Sequence, residues 1–379
     1  MRFSHATSSS VTSQMRGRVA GLAVAFALAL AGCATTPRAP PSRTPEQTRA
    51  QLIKLLPASV RDRGGWAGDI TAAFAALRLD PTDSHLCAAL AVTEQESNFA
   101  ADPAVPNLGA TARAEIDRRA KAHHIPGFVV SAALALKSRD GRSYNDRIAA
   151  ARTERELSLV FEDLIGRVPL GRQLFADDNP IRTGGPMQVS VSFAERYVRG
   201  HEYPYSIDGS IRHEVFTRRG GVYFGIAHLL GYPVSYDRML YRFADYNAGF
   251  YASRNAAFQN AVAIASGIPL ALDGDLVDYS GKNTGKTALA ARTLAPRLQM
   301  SEREIDKALA QGESFDFEKS PLYARVHALA EGAAHKPLPR AMLPRIALES
   351  PKITRKLTTQ WFAERVQQRY QSCLGRARR

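Results

Sequence analysis

The sequence contains little cysteine, and it lacks the complete motifs of nucleotide-binding proteins and zinc proteases. Three cysteines occur among 379 residues, so at most one disulfide can form within the chain. Residues 280–287 read SGKNTGKT, but the first glycine is one residue too close to the second for a phosphate-binding loop. His213-Glu214 begins a zinc-protease pattern, yet position 217 is threonine and not histidine. We therefore expect no metal, no nucleotide and no other cofactor.

The sequence also lacks an apolar run long enough to cross a membrane comfortably. Residues 19–31 are apolar, follow two arginines and have the length of a secretory signal. The tetrapeptide Leu30-Ala31-Gly32-Cys33 then matches a bacterial lipobox. We therefore predict that residues 1–32 are a lipoprotein signal peptide and that Cys33 is the lipidated first residue of the mature chain. The alternatives are an ordinary membrane anchor or a cleaved signal without lipid.

The residues after Cys33 indicate where the protein is exported. Ala34, not aspartate, follows the cysteine, which in Gram-negative bacteria favours the outer membrane over the inner one. Residues 33–43 are rich in Pro and Thr and are predicted to be a flexible tether. The formal net charge of +14 suits an anionic partner. Export makes nucleic acid an unlikely partner, so peptidoglycan carboxylates or lipopolysaccharide phosphates are better candidates; solubility through charge alone is the alternative.

Cys87 and Cys373 remain once Cys33 is assigned to lipid. An even pair in an oxidising compartment predicts a disulfide. It would join the start of one helix to the last helix of the sequence. Two unpaired, buried thiols are the alternative, and a separation of the two Cα atoms above about 7 Å would exclude the bond.

Residues 86–99, LCAALAVTEQESNF, predict an amphipathic helix with two carboxylates in its last turn. Apolar residues recur at helical spacing, and Thr82, Asp83 or Ser84 can cap the helix start. Glu94 and Glu96 then lie near the negative end of the helix dipole and beside apolar residues. Both influences raise a carboxyl pKa, which suits a general acid. The alternative is that both carboxylates are solvated surface groups.

Three short motifs follow one another in a recognisable order. Glu96-Ser97 with Phe99, Gly185–Gln188 (GPMQ) and Ala244–Gly249 (ADYNAG) together resemble the lytic transglycosylases and goose-type lysozymes, which cleave the glycan strands of peptidoglycan. The resemblance implies an all-α, lysozyme-like core. It also implies that Glu96, and not Glu94, is the catalytic acid. The residues it places around the substrate are Ser97, Met187, Gln188, Tyr246 and Asn247.

Each of these motif residues has a physical interpretation. Met187 can lie against the apolar face of a sugar, and Gln188 can hydrogen-bond to acetamido or hydroxyl groups. Tyr246 is expected near the acid, where its hydroxyl can hydrogen-bond to Glu96 or to the charge that develops on the sugar. Asn247 is expected to shape the helix terminus more than to contact substrate. The alternative is that the Gly-rich turn, the methionine and the tyrosine are structural.

The sequence departs from the family pattern in three places. A long insertion, about 103–183, separates Glu96 from the second motif, and it contains predicted helices at 111–122 and 154–165. Pro186 stands where the family more often has leucine. A C-terminal extension, about 268–379, contains predicted helices at 301–311, 320–331 and 354–373. We expect the insertion and the extension to surround one lysozyme-like domain, residues 44–379.

The function that the resemblance implies is non-hydrolytic cleavage of the bond between N-acetylmuramic acid and N-acetylglucosamine. Glu96 would act as the only acid and base. A hydrolase would need a second carboxylate to activate water, for which Asp102, Asp177 and Asp178 are candidates. A non-catalytic alternative is an outer-membrane lipoprotein that binds glycan or assists peptide passage. The chain as a whole also resembles a family of uncharacterised outer-membrane lipoproteins.

Overall fold

Helices make up most of the structure, which confirms the predicted all-α fold class. The computed structural model describes residues 42–167, 179–278, 284–348 and 357–379. The helices of the first half are α1 (Pro45–Leu55), α2 (Arg63–Ala76), α3 (Asp83–Ser97), α4 (Leu108–Ala122), α5 (Gly127–Ala135), α6 (Tyr144–Ala150), α7 (Glu154–Gly166) and α8 (Val191–Tyr197). The predicted signal peptide, Cys33 and most of the tether lie outside the described residues.

The second half continues the helical pattern with little strand. Its helices are α9 (Ile211–Val215), α10 (Arg218–Leu230), α11 (Met239–Ala248), α12 (Ala252–Ser266), α13 (Lys286–Thr293), α14 (Ala295–Leu298), α15 (Glu302–Leu309), α16 (Pro321–Ala334) and α17 (Thr359–Ala377), with a 3₁₀ helix at Phe315–Lys319. The strands form two antiparallel pairs, β1 (Thr183–Gly184) with β2 (Val189–Ser190) and β3 (Ala347–Leu348) with β4 (Leu357–Thr358).

Several helices begin where the sequence signals predict. Thr44 accepts a hydrogen bond from the backbone of Gln47, and a capping box starts α1. Thr82, one of three candidates, caps α3 by accepting from the backbone N–H of His85 at 3.1 Å. Ser301 likewise opens α15 with a capping box. These starts follow from local chemistry, since each side chain satisfies first-turn N–H groups of its own helix.

A glycine pair favours a break in the chain, and Gly64-Gly65 predicts one here, but this prediction is wrong. Both glycines lie in the first turn of α2, which Asp62 caps by accepting from the backbone N–H of Gly65 at 3.0 Å. Arg218 of α10 approaches this turn and forms an ion pair with Asp62 at 2.6 Å. The absence of a side chain at Gly65 leaves room for Arg218, so this glycine permits a tertiary contact instead of ending a helix.

The sequence also predicts that Ser235 caps the helix that runs through Tyr246 and that Gly184–Gln188 opens a helix through Tyr197, and the structure corrects both predictions. Ser235 does not cap α11, which begins at Met239, because its hydroxyl donates to Glu318 at 2.9 Å. The Gly-Gly-Pro-Met-Gln stretch does not open a helix either. It forms the turn between β1 and β2, and α8 begins only at Val191 with Ser190 as its cap.

Helix α3 lies at the centre of the main hydrophobic core. Residues 86–93 are all buried along it, and it packs against α17. The predicted disulfide between Cys87 and Cys373 is present, and its two Cα atoms are 5.5 Å apart. Helix α11 also packs against α17, α10 packs against α3 and α2, and α1 packs against α2 and α17. The helix that carries Glu96 is therefore held rigidly from several directions.

Two smaller cores flank the main one. Helices α4 to α7 bury an apolar cluster that includes Leu108, Tyr144 and Leu157 and extends to Phe216. Helices α12, α13, α15 and α16 enclose another, from Phe258 to Leu338. Residues 42–379 together form one compact unit. Within the described residues, none of the helices has the length and apolarity needed to span a bilayer.

Candidate active site

Glu96 lies in the last turn of α3, and Glu94 points to a different side of the same helix. The Glu94 carboxylate is 3.8 Å from the guanidinium of Arg369 on α17. Two residues farther along a helix turn the side chain by about 200°. Helix α3 ends because Asn98 adopts a left-handed conformation with φ of 48°. The structure therefore separates the two glutamates into one that is ion-paired and one that faces the motif residues.

Glu154 is brought toward Glu96 by a short backbone bridge. Ala104 pairs with Thr153, and the N–H of Val105 donates to the carbonyl of Arg152 at 2.9 Å. The segment that follows α3 is thus fixed against the start of α7. Glu154, the first residue of α7, is 4% exposed. The inserted region in this way supplies a second carboxyl group close to the one that the sequence predicts to be catalytic.

The surroundings of Glu96 favour its neutral form. Burial, followed by the negative charge of Glu154, raises the pKa of Glu96 to about 8. Glu96 nevertheless keeps a partly exposed surface within its densely packed environment. A carboxyl group that is protonated at neutral pH and still accessible has the properties required of a general acid.

Gln188 connects the second motif to the carboxyl group of Glu154. Its side-chain amide donates to Glu154 at 2.9 Å and lies 3.4 Å from the carbonyl of Gly185. Gln188 and Gly185 have positive φ values of 49° and 73°, which make the turn tight enough for this geometry. Gln188 is partly exposed, so its remaining amide oxygen can accept a hydrogen bond at the surface.

Met187 and Tyr246 meet through the backbone. The Tyr246 hydroxyl donates to the carbonyl of Met187 at 2.7 Å. It does not donate to Glu96, which was one of its two expected partners. Burial, and then the charge of Glu96, raise the pKa of Tyr246 well above its usual value. The Met187 side chain is fully buried against Gly225 of α10, so it packs inside the protein and offers no surface to a sugar.

Ser97 and Asn247, the other two predicted substrate contacts, form side-chain hydrogen bonds within the protein. The Ser97 hydroxyl donates to the carbonyl of Thr93, one turn back in α3, at 3.1 Å. Asn247 is exposed, and its side-chain oxygen accepts from the hydroxyl of Thr359 at 2.9 Å. Asn247 therefore fastens the end of α11 to the start of α17, in keeping with a role in shaping the helix terminus.

A histidine that the sequence did not single out lies behind Tyr246. The His228 ring centroid is 5.0 Å from that of Tyr246, and the ring also packs against Phe193 and Phe250. Burial lowers the pKa of His228 to about 4, so the ring is neutral at physiological pH. Neither ring nitrogen has a hydrogen-bond partner within the described residues.

The candidate second carboxylates have different positions. Asp102 is partly exposed, burial raises its pKa, and Thr153 hydrogen-bonds to it. Asp177 and Asp178 lie outside the described residues. Glu154 was missed because the capping box of Thr153 and Glu156 predicts only a helix start, with nothing to indicate that α7 begins beside Glu96. Among the described residues, no group of three or more His, Cys, Asp and Glu side chains is arranged to hold a metal.

The chain has clear relatives, and their functions are not described. A family model described as "Protein of unknown function (DUF1615)" matches residues 59–376. The chain is 52% identical over 358 residues to the uncharacterised protein YaiW of Escherichia coli K12. The aligned region covers 94% of this chain and 98% of that protein. No solved structure matches significantly.

Proposed function

This chain belongs to the DUF1615 family, and we propose that it cleaves peptidoglycan glycan strands as a lytic transglycosylase. The observation that carries the proposal is the environment of Glu96. This carboxyl group is partly exposed, has a pKa raised to about 8 and lies beside residues of the two other motifs. The three motifs are far apart in sequence, yet the fold links them through Glu154 and the carbonyl of Met187.

In the proposed reaction, Glu96 donates its proton to the oxygen that bridges N-acetylmuramic acid and N-acetylglucosamine. The bond from that oxygen to C1 of the muramoyl residue breaks as the proton transfers. The Glu96 carboxylate then removes the proton from the muramoyl C6 hydroxyl, whose oxygen bonds to C1. The products are a 1,6-anhydromuramoyl end and a free N-acetylglucosamine end. Glu96 finishes protonated, so one carboxyl group serves as acid and then as base.

Glu154 acts on Glu96 in this proposal and does not contact the substrate. Its charge disfavours the ionised form of Glu96, which keeps the proton available at neutral pH. Gln188 fixes the Glu154 carboxyl by donating to it. Glu154 is also the group best placed to activate water in a hydrolase, so the chemical identity of the product distinguishes the two reactions.

The same hydrogen bond favours a second candidate function. Gln188 is expected to bind sugar in a transglycosylase, yet its amide N–H group is engaged by a residue from the insertion. A protein whose insertion keeps the glycan away from Glu96 could bind the glycan elsewhere on its surface without cleaving it. This second candidate is a non-catalytic outer-membrane lipoprotein with the same lipid anchor at Cys33.

The test is digestion of purified sacculi, followed by mass analysis of the released fragments. Wild type should release anhydro fragments, and Glu96→Gln should lower the rate by about 10²–10⁴-fold. Glu94→Gln is the matched control on the same helix turn and should retain activity. Fragments heavier by one water would indicate a hydrolase. Release by wild type no greater than that by Glu96→Gln would reject the enzyme and support the binding protein.

The location proposed for the protein has its own test. Metabolic labelling with palmitate should label wild type in the outer-membrane fraction, because the lipobox directs acylation of Cys33. Cys33→Ser should abolish the label. An unlabelled wild-type chain would reject lipid anchoring without affecting the proposal for Glu96.

A further inference from the structure

Helix α5 presents an unusually apolar surface to solvent. Residues 125–136 include no charged side chain, and Ser131 is their only polar residue. Ile125, Phe128, Val129 and Leu136 are 44%, 76%, 43% and 54% exposed. Contiguous exposed apolar surfaces of this kind usually mark a site of interaction.

The orientation of α5 explains which side is exposed. Val130 and Leu134, four residues apart, are the two buried positions of the helix, and they pack into the small core of the inserted region. Helical spacing places Phe128, Ala132 and Ala135 on the opposite face. The helix is therefore attached along one narrow stripe, and the face opposite that stripe is apolar, with the exposed Ser131 at its side.

Positive charge surrounds this apolar face at both ends. Exposed basic and imidazole side chains precede and follow it: Lys121, His123, His124, Lys137, Arg139 and Arg142. Neighbouring aspartates lie beside arginines that offset their charge. Asp117 is 3.1 Å from the guanidinium of Arg113, and Asp140 is 3.9 Å from that of Arg147. The field at the helix ends thus favours an anion.

An open groove of about 500 Å³ adjoins the start of α5, between it and the end of α4. Lys121 and His124 line it together with Ile125, Pro126 and Asp117, whose charge is paired with Arg113. The groove therefore brings basic and apolar side chains together, the two kinds of surface that suit a lipid headgroup and the start of its acyl chains.

The length of α5 indicates how it would meet such a surface. Nine helical residues span about 14 Å, and a bilayer core is about 30 Å thick. We propose that α5 and its basic ends form a docking surface for an anionic phospholipid bilayer, with the helix lying in the headgroup region. Apolar burial and attraction of Lys and Arg to anionic lipid both contribute to binding of this kind. A protein partner is less well matched, because the face has one aromatic ring and no central arginine.

The test uses residues 42–379, which contain all three cores and the disulfide and lack Cys33, so a lipid anchor cannot contribute. Flotation with vesicles of phosphatidylglycerol and phosphatidylcholine should carry the protein upward, and vesicles of phosphatidylcholine alone should carry much less. Phe128→Ser should weaken binding about tenfold, because a mostly exposed ring can no longer be buried in lipid. Leu289→Ser is the matched control, since Leu289 is 51% exposed on α13, far along the chain from this face.

A second measurement places the helix in the bilayer. Tryptophan fluorescence of Phe128→Trp should shift to shorter wavelength when anionic vesicles are added, and that of Leu289→Trp should not. The proposal is overturned if the protein does not bind anionic vesicles at low salt, or if Phe128→Ser binds as wild type does. It is also overturned if the protein binds lipopolysaccharide but not anionic phospholipid. A protein that does not bind vesicles, and that self-associates unless Phe128 is replaced by serine, would show that α5 contacts a second copy of the chain instead.

Discussion

Glu96 and Arg254 are both ionisable groups in densely packed surroundings, and the protein treats them in opposite ways. Arg254, 1% exposed on α12, donates to the carbonyls of Gly312 and Ser314 and to the side chain of Asn255. Its guanidinium also lies over the rings of Tyr251 and Phe317, at 4.2 and 5.1 Å. Glu96 has a second carboxyl group, Glu154, as its electrostatic neighbour.

The difference separates a structural charge from a reactive one. Acceptors and aromatic faces surround Arg254, so its interactions hold the 3₁₀ segment and α12 together. A negative neighbour raises the free energy of ionised Glu96, which destabilises the fold when the proton is lost. Proteins tolerate such a cost where a function needs it. The following predictions test whether this contrast holds.

The largest expected effect is on stability, at Arg254. Arg254→Met should lower the free energy of unfolding by about 3–5 kcal/mol, because it removes the charged hydrogen bonds from the buried guanidinium to the carbonyls of Gly312 and Ser314 and to Asn255. Denaturant unfolding measures the change. Arg238→Met removes an exposed arginine and should stay within about 0.5 kcal/mol of wild type. If Arg254→Met lowers the free energy of unfolding by less than about 1 kcal/mol, the buried arginine does not stabilise the fold as this contrast requires.

Replacement of Glu96 should have the opposite sign and should depend on pH. The raised pKa means that the folded protein retains a proton which the unfolded chain releases between about pH 4.5 and 8. Wild type therefore loses stability as pH rises through this window, and Glu96→Gln does not. The variant should match wild type near pH 4.5 and exceed it by at least about 1 kcal/mol at pH 8.5.

Thermal and denaturant unfolding at both pH values measure this difference. Glu94→Gln serves as the control for loss of a carboxylate from the same helix turn, since Glu94 is partly exposed beside Arg369. Equal stability of Glu96→Gln and wild type at pH 8.5 would show that Glu96 is not destabilising when ionised.

The smallest expected effect is at Glu154. Glu154→Gln removes the charge and keeps an oxygen that can accept from Gln188, so the pKa of Glu96 should fall but stay above its ordinary value, because burial is the larger cause of its rise. Carboxyl-carbon NMR titration of Glu96 measures this directly and does not require activity. In an active enzyme, the alkaline limb of the pH–rate profile should move down by the same amount. An unchanged titration would show that burial alone sets the pKa.

The sequence predicts the features that depend on local chemistry or on simple counting. Thr82 and Ser301 satisfy first-turn N–H groups of their own helices, so the starts of α3 and α15 could be predicted. The Cys87–Cys373 disulfide could be predicted because the assignment of Cys33 to lipid left an even pair of cysteines. Neither inference required knowledge of how distant segments meet.

The features that were wrong or missed depend on distant segments. Ser235 donates a hydrogen bond to Glu318 instead of capping the next helix, and Gly65 makes room for Arg218. Glu154 reaches Glu96 because the segment after α3 pairs with Thr153, a contact without a local signature. The roles of neighbours therefore could not be assigned until the fold was known.

The bond between Cys87 and Cys373 joins residues 286 positions apart, on the helix of the candidate acid and on α17. Synthesis runs from the amino terminus, so Cys87 leaves the ribosome long before its partner does. The helix that carries Glu96 can be cross-linked to α17 only after the whole intervening chain has been made and an oxidant has acted. A fragment that stops before α17 would lack this cross-link, so proteolysis or early termination near the carboxyl terminus would release the helix of the candidate acid.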